Sequence, residues 1–404
     1  MLLALVALAA DPAVAAAPHY DLHAYFSPAG QVDADVTVTL PPGTHDKGFL
    51  LSRRFTLRRL DMPRGVTLAS TKPAEEPVEG LNRYSFHVAP GLHGPIRLGF
   101  HYAGPISPAG NEPVMPLRPE GYELFIDDMW FPVGDDIQTR FSLDAEIEGL
   151  APDLVVVAQG DVHRTAHGVR IHRRFLDIDI PMVAMRGLKR ADAAGVEFYA
   201  RDLSTRVSQL YIRHSEGAAR FYAGWYGPLT ETVRIAVVPR RSTMGYARTG
   251  YTVMSESHSG PAEIDEADAA RHAAHEIAHV WWKLASPIGD DFWLVESCAE
   301  YSALRYVESA LGPTAAARLV DDKRAPAATA GPIMGHGRPN RVQLYQKGPL
   351  LLLDLEHRIG RPAMDRLMAR MAHEPVHTTA IFLRLLTEIS GADAARAFDA
   401  ALHA

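Results

Sequence analysis

The sequence predicts two domains, an N-terminal β-sandwich-like domain followed by a mainly helical domain. Within residues 20–189, short segments with alternating apolar side chains are separated by Pro and Gly, a pattern typical of all-β domains. From about residue 196 onward, longer segments have the apolar spacing of helices. We therefore predict a β-domain at residues 18–190 and a helical domain at residues 191–404.

Strands are predicted where β-branched and aromatic residues alternate with polar ones. In the first domain these segments are residues 32–40, 96–102, 141–147, 154–157 and 169–175. In the second domain, residues 233–238 and 251–254 are also predicted to be strands. The remainder of the second domain is predicted to be helical.

The composition is that of an ordinary folded protein and excludes several functional classes. At 404 residues, with 47% hydrophobic and 22% charged side chains, the chain can bury two cores. A net charge of −7 without a basic run argues against nucleic acid as a partner. No internal segment of the sequence is long and apolar enough to span a bilayer. The single cysteine, Cys298, excludes an intramolecular disulfide.

Residues 1–17 have features of a signal peptide. Residues 2–10 are apolar and residues 13–17 are small, as in an apolar region followed by a cleavage site. The basic residue usual near the start of a signal is missing, so the true start of the signal stays open. We expect an exported protein, periplasmic or secreted. A cytoplasmic location would follow if these residues were an alanine-rich tail instead.

The strongest indication of function is a His-Glu-x-x-His motif formed by His275, Glu276 and His279. Residues 269–285 contain no Gly or Pro, so the motif is predicted to be helical. Histidines four residues apart lie on one face of a helix, and both rings can reach one ion. Zinc accepts such ligands, and Glu276 would then be placed to take a proton from water.

A third ligand, Glu296, is predicted on the following helix. This helix is expected at residues 292–311, ended by Gly and Pro, with Glu296 in its first turn. Two antiparallel helices joined by a short loop can place this acid opposite the histidines. We therefore predict one zinc ion per chain, held by His275, His279 and Glu296. The alternative is a solvent-exposed helix that carries His and Glu by chance, but it does not explain Glu296 on the following helix.

Glu300 follows Glu296 by one helical turn and shares its face. It could accept the free ring N–H of His275 or His279 and so fix the tautomer of a ligand from outside the coordination sphere. An ion pair with Arg305 on the same helix is the alternative.

Two phrases accompany the metal motif, Trp293-Leu294-Val295-Glu296 and Tyr345-Gln346-Lys347-Gly348. Together these residues resemble the catalytic core of the membrane alanyl aminopeptidase family of gluzincins. The resemblance implies an N-terminal β-domain followed by a thermolysin-like zinc peptidase domain. The family usually has eighteen residues between the second histidine and the glutamate, whereas this chain has sixteen. The loop between the two helices is therefore expected to be two residues shorter.

Tyr345 is the second candidate catalytic residue. Attack on a peptide carbonyl places negative charge on its oxygen, and a phenol O–H can donate a hydrogen bond to that oxyanion. In the family the tyrosine of the Tyr-x-Lys-Gly phrase has this role, so the resemblance assigns it to Tyr345. Without the family match, a core tyrosine at a helix–loop junction would be the alternative. Lys347 is expected to pack or cap rather than react.

The candidate substrate-binding residues are Gly245, Tyr246, Ala247 and Arg248, and here the chain departs from the family. Aminopeptidases of this group carry a Gly-x-Met-Glu-Asn loop whose glutamate holds the free amine of the substrate. The sequence from Gly245 to Gly250 contains no Glu and no Asn, and Ala247 or Arg248 stands at the position of the anchor. The residues for hydrolysis match the family, whereas the glutamate that binds the substrate amine in the family has no counterpart in this segment.

The sequence therefore predicts a zinc metallopeptidase with a peptide or small-molecule substrate. Glu276 would act as general base and then general acid, and Tyr345 would stabilise the oxyanion. Two alternatives stay open, a zinc hydrolase of a non-peptide substrate and a non-catalytic module stabilised by zinc. The choice between exopeptidase and endopeptidase is also open.

Overall fold

The computed structural model describes residues 17–74, 80–106, 121–239, 245–256 and 264–404. The chain folds as two compact units that divide between Leu188 and Lys189. Met244 and the predicted signal peptide, apart from residue 17, lie outside the described residues. None of the described helices is long and apolar enough to cross a membrane.

The first unit consists of strands, as the alternating sequence predicts. They are β1 (His19–Phe26), β2 (Gln31–Leu40), β3 (Lys47–Ser52), β4 (Thr56–Asp61), β5 (Val66–Ala74), β6 (Leu81–Val88), β7 (Ile96–Pro105), β8 (Gly121–Leu124), β9 (Val133–Gly134), β10 (Phe141–Glu148), β11 (Leu154–Ala158), β12 (Asp161–Arg164), β13 (Gly168–Asp177) and β14 (Met182–Arg186). A 3-10 turn, Ile126–Asp128, lies between β8 and β9.

The described strands of this unit form three sheets. One has the order β12-β13-β10-β1-β2-β7-β4, a second β5-β6-β3-β9 and a third β11-β14-β8. Phe100 of the first sheet packs against Phe49 and Phe86 of the second, with ring centroids 5.3 and 5.9 Å apart. The two sheets therefore share one apolar core, and the predicted β-sandwich-like domain is confirmed.

The second unit begins with a mixed sheet and continues with helices. Its strands are β15 (Lys189–Ala193), β16 (Val196–Ala200), β17 (Val233–Val238), β18 (Tyr246–Arg248) and β19 (Tyr251–Ser255), in the sheet order β15-β16-β17-β19-β18. Strands β16, β17 and β19 are parallel, whereas β18 runs antiparallel to β19. Strand β18 is thus an edge strand of the described sheet.

Eight α-helices make up the rest of the described second unit. They are α1 (Arg206–Tyr226), α2 (Glu266–Ala278), α3 (Trp293–Leu311), α4 (Pro313–Ala328), α5 (Gly348–Ile359), α6 (Arg361–His373), α7 (Thr379–Ser390) and α8 (Ala392–Leu402). A 3-10 turn, Asp290–Phe292, precedes α3, and a π-helical turn, Gln343–Lys347, precedes α5. The predicted mainly helical domain is confirmed.

Helix α2, which carries the metal motif, lies in the middle of the apolar core. Its alanines at 269, 270, 273 and 274 are buried, and such small side chains allow neighbouring helices to approach closely. The side chain of Asp265 caps the helix by accepting hydrogen bonds from the backbone N–H groups of Ala267 and Asp268. Helix α2 packs against α1 and α3.

Helix α2 ends earlier than the sequence predicts, at Ala278 rather than near residue 285. The backbone N–H groups of Val280 and Trp281 bond to carbonyls three residues back, so the last turn tightens. The indole of Trp282 donates to Ser302 on α3 at 3.0 Å, which fixes the chain in this path. Nothing in the apolar periodicity of residues 269–285 marks this end, since no Gly or Pro occurs there.

Candidate metal centre

Three predicted ligand atoms converge between α2 and α3. The Nε2 atoms of His275 and His279 lie 3.2 Å apart. Glu296 Oε2 lies 3.3 Å from the first nitrogen and 3.7 Å from the second. Glu296 is in the first turn of α3, as predicted, and all three residues form the one group of potential metal ligands found among the described residues.

These distances fit a zinc ion. Zinc binds imidazole nitrogen and carboxylate oxygen at about 2.0–2.1 Å with tetrahedral geometry, so its ligand atoms are about 3.3–3.4 Å apart. The three separations observed are 3.2, 3.3 and 3.7 Å. Two nitrogens and one oxygen also leave a fourth tetrahedral position, which is the donor set of catalytic rather than structural zinc sites.

Neighbouring acceptors orient the rings of both histidines. The Nδ1 atom of His279 lies 3.1 Å from the carbonyl oxygen of Trp282, and Nδ1 of His275 lies 2.9 Å from Glu300 Oε2. Nδ1 of His279 therefore donates to the Trp282 carbonyl, and Nδ1 of His275 is in ionic contact with Glu300, so the Nε2 atoms of both rings face each other. Two lone pairs 3.2 Å apart are stable only with a cation or a proton between them.

Glu300 sits at the centre of a buried ionic cluster. Its side chain is fully buried and contacts His275, Arg271 and Lys323. Arg271 Nη1 donates to both carboxylate oxygens at 3.1 Å, and Lys323 Nζ donates to Oε1 at 2.6 Å. Burial opposes ionisation of Glu300, yet the two cations hold its pKa well below the ordinary value. The alternative partner, Arg305, pairs with Glu356 and Asp365 instead.

The ionisation of the ligands agrees with a site built for a cation. Burial alone would suppress the charge on His275, but hydrogen bonds to Glu296 and Glu300 raise its pKa to about 10. For Glu296, burial is likewise outweighed, and the charge of His279 and the bond from His275 lower its pKa to about 2. Both shifts favour a positive charge on the histidine and a negative charge on the glutamate, as expected at a site that holds a cation.

Glu276 lies beside this group, as the motif requires of a general base. Its carboxylate is mostly buried, and its Oε1 is 3.5 Å from Nε2 of His272, one turn earlier on α2. Burial opposes its ionisation, but the hydrogen bond with His272 and the charge of His275 lower its pKa. Glu276 is therefore a carboxylate at neutral pH. Nδ1 of His272 is 3.3 Å from the Tyr211 hydroxyl, so His272 lies between Tyr211 and Glu276, the candidate general base.

Tyr345 packs next to the ligands. Its ring lies 5.4 Å from the ring of His275, tilted by 30°. Burial, together with the negative charge of Glu296, raises the pKa of the Tyr345 phenol well above its ordinary value, so the hydroxyl keeps its proton. The tyrosine belongs to the π-helical turn that directly precedes α5.

The edge strand β18 begins at the site. Gly245, which directly precedes it, is close to Glu276, because a Cβ at this glycine would lie 3.6 Å from Glu276 Oε1. Such a Cβ would also collide with the carbonyl oxygen of Val253, so only glycine fits there. The Arg248 guanidinium lies 5.1 Å from the centre of the Tyr246 ring and donates to the Ala247 carbonyl oxygen at 2.9 Å.

Sequence reasoning missed two residues of the site, Arg271 and Lys323. Arg271 lies four residues before His275, on the same helical face, so spacing could have suggested it. Lys323 lies on α4, and nothing in its local sequence indicates that it reaches Glu300.

Comparisons with known proteins agree with this geometry at the level of the fold. The sequence matches no protein-family model, and no curated protein matches it by sequence. The structure resembles the M1 zinc metallopeptidase from Deinococcus radiodurans, with a TM-score of 0.68 at 18% identity over 96% of this chain and 93% of that one. A variant of that enzyme bound to a Tyr-Ser-Ala substrate matches equally well, with a TM-score of 0.68 at 18% identity over 95% and 93% of the two chains.

Leukotriene A4 hydrolase from Saccharomyces cerevisiae is also similar, with a TM-score of 0.70 at 16% identity. The match covers 92% of this chain and 64% of the yeast protein. At these identities the likeness concerns the fold, and it supports the resemblance that the metal motif suggests. The chain has the two-domain fold of the M1 zinc metallopeptidases.

Proposed function

We propose that this protein is a zinc-dependent peptidase. The observation that carries the proposal is the convergence of His275, His279 and Glu296 at the separations of a tetrahedral zinc site, with Glu276 and Tyr345 beside it. The fold likeness to M1 zinc metallopeptidases, one of them bound to a tripeptide, supports a peptide substrate.

The protein residues have separate tasks in this proposal. A zinc ion held by the three ligands would lower the pKa of a water molecule and polarise the substrate carbonyl. The Glu276 carboxylate accepts the proton of the attacking water and later gives it to the leaving amine. The Tyr345 hydroxyl, which keeps its proton, donates to the oxygen of the attacked carbonyl as negative charge develops there.

A non-catalytic zinc module is less well supported. A site that only stabilises the fold needs neither a buried carboxylate beside the ligands nor a protonated phenol packed against one of them. It also closes its coordination shell with four protein ligands, whereas three converge among the described residues.

We infer further that the enzyme discriminates weakly for a free N-terminal amine. A buried ammonium needs a nearby carboxylate, and the chain from Gly245 to Gly250 offers none. Glu256, the nearest acid after this segment, already accepts hydrogen bonds from Arg201, with Nε to Oε1 at 3.0 Å. Its carboxylate is thus already paired with a cation.

The edge strand supports the same inference. In a hairpin with a two-residue turn, the two residues that flank the turn are hydrogen-bonded to each other across the strands. In the next pair of facing residues, the backbone N–H and C=O groups point away from the partner strand. Here the turn is Thr249-Gly250, so Ala247 is the residue with outward-facing groups. The guanidinium of Arg248 bonds to this carbonyl and so places a positive charge along the edge. An Arg at this place repels an ammonium and favours N-blocked, internal or acidic peptide segments.

A screen of blocked and unblocked peptides tests the proposal. We expect hydrolysis by the zinc-loaded protein, loss of hydrolysis after chelation, and recovery when zinc is added back. Turnover of esters or epoxides in place of every peptide would favour the non-peptide hydrolase, which the likeness to leukotriene A4 hydrolase keeps open. Absence of any zinc-dependent turnover would contradict both.

A further inference from the structure

The backbone that carries Tyr345 is held by side chains from two other helices. Tyr345 lies in the π-helical turn Gln343–Lys347, and turns of this kind leave the regular bonding pattern of an α-helix, frequently at functional sites. Ser297 on α3 donates to the carbonyl oxygen of Leu344 at 2.8 Å. Lys323 on α4 donates to the next carbonyl, that of Tyr345, at 3.0 Å.

Lys323 has a second partner at the metal centre. Its ammonium also donates to Glu300 Oε1 at 2.6 Å, and the other oxygen of Glu300 lies 2.9 Å from Nδ1 of His275. The lysine is 5% exposed, so most of its side chain is shielded from water. The Lys323 ammonium thus connects Glu300, which contacts the candidate ligand His275, to the backbone of Tyr345, the candidate oxyanion donor.

We propose that Lys323 is a positioning residue that fixes the Tyr345 phenol relative to His275. This inference rests on the proposed function, which gives Tyr345 its catalytic role. The connection itself rests on the observed contacts of Lys323 with Glu300 and with the Tyr345 carbonyl. Neutralising Glu300 does not by itself require Lys323, because Arg271 already donates to both oxygens of that carboxylate. The bond to the Tyr345 carbonyl is the contact that Arg271 does not make.

The chain offers a matched control in Lys347. This lysine belongs to the same π-helical turn, and its ammonium also binds backbone carbonyls, those of Gly331 at 2.9 Å and Ala404 at 2.7 Å. Lys347→Met therefore removes comparable hydrogen bonds from the same segment without touching Glu300 or the Tyr345 carbonyl.

The first test reports the position of Tyr345 without metal or turnover. 3-Fluorotyrosine is placed at position 345, and its fluorine resonance is recorded in the zinc-free protein. We expect Lys323→Met to shift or broaden this resonance and Lys347→Met to leave it unchanged. A resonance of Lys323→Met identical to that of wild type would overturn the proposal. If Lys323→Met does not fold, Lys323→Gln takes its place, because it also removes the charge that faces Glu300.

The second test is a double-mutant cycle on turnover. Lys323→Met should lower kcat by about tenfold and change KM less, since the phenol acts mainly in the transition state. In a Tyr345→Phe background the same substitution should lower kcat by less than about twofold, because the group that it positions is already gone. Losses that multiply in the double variant would show that Lys323 acts independently of Tyr345.

The two tests separate this inference from the proposed function. Wild-type protein that hydrolyses no peptide would contradict the peptidase, and the fluorine resonance would still decide whether Lys323 positions Tyr345. If the wild type hydrolyses peptides but Lys323→Met leaves the resonance unshifted and the losses in kcat multiply, the proposed peptidase function stands. The positioning role of Lys323 is then contradicted.

Discussion

The Nε2 atoms of His275 and His279 lie 3.2 Å apart, and each ring has an acceptor behind it at Nδ1. Glu300 provides that acceptor for the first ring and the Trp282 carbonyl for the second. The fold therefore holds both rings with their Nε2 atoms facing each other before any metal is present, so that little movement of the rings is needed when an ion binds.

Replacing Glu296 by Ala should remove zinc from the protein. Its Oε2 lies within 3.7 Å of both imidazole nitrogens, and two histidines alone do not complete a zinc site. Elemental analysis after dialysis should give about one zinc per wild-type chain and almost none for the variant. Glu308→Ala, which removes a carboxylate from the far end of the same helix, serves as control and should retain zinc. Full zinc in Glu296→Ala would mean that another residue, such as Glu300, is the ligand.

Tyr345→Phe should lower kcat by roughly 100-fold, the typical effect of removing one oxyanion donor. KM should change much less, because the bond forms chiefly in the transition state. The phenol keeps its proton at neutral pH, since burial raises its pKa, so the loss should persist across the neutral range. Steady-state kinetics on a peptide substrate measure both constants. A raised KM with unchanged kcat would instead indicate that Tyr345 only binds substrate.

His214 should make the stability of the protein depend on pH. The residue is 2% exposed, and its ring lies 3.0 Å from the Tyr306 hydroxyl and 3.3 Å from Glu266. Burial lowers its pKa below the ordinary value of 6.5. The unfolded chain then binds more protons than the folded one as the pH falls below 6.5. The free energy of unfolding should therefore decrease from pH 6.5 downward and be unaffected by this group above it.

Urea unfolding at pH 7.5 and pH 5.5 measures this effect. His214→Gln should lose less stability than wild type between these two conditions, because it has no proton to gain. His93→Gln, a change of the same kind at an exposed position, is the control and should follow the wild type. Equal losses in wild type and His214→Gln would contradict the prediction.

Acetylating the N-terminus of a peptide substrate should reduce its rate of hydrolysis only slightly, or increase it. The reason is the positive Arg248 beside the edge strand, in a segment with no carboxylate. Rates for one peptide with a free and an acetylated N-terminus make the comparison. Arg248→Glu should shift the preference toward the free amine. A large loss on acetylation with wild-type protein would show that the amine is bound by a carboxylate placed elsewhere.

Much of the architecture follows from local patterns in the sequence. The strand predicted at residues 233–238 matches β17 (Val233–Val238), whose side chains are all apolar except that of Arg234, as expected for a strand buried in a parallel sheet. The position of Glu296 in the first turn of α3 followed from helix periodicity and from the Trp-Leu-x-Glu phrase. These features depend on residues that are near one another in the chain.

Other features of the site depend on contacts that no local pattern encodes. Just after the early end of α2, Trp282 donates to Ser302 on another helix. At the π-helical turn that carries Tyr345, Gly348 approaches Ser297 so closely that a Cβ would collide with the hydroxyl. Lys323 contacts the site only because α4 packs against that turn. These contacts can be identified only from the tertiary structure, because the residues that form them are far apart in the sequence.

The most direct test of the zinc peptidase is the variant Glu276→Gln. The amide has nearly the shape of the carboxylate but cannot accept the proton of the attacking water. Glu276 is not among the three converging ligands, so zinc should stay bound. We predict a zinc content equal to that of wild type and loss of nearly all peptide hydrolysis. Peptide hydrolysis by zinc-loaded Glu276→Gln at the wild-type rate would contradict the account.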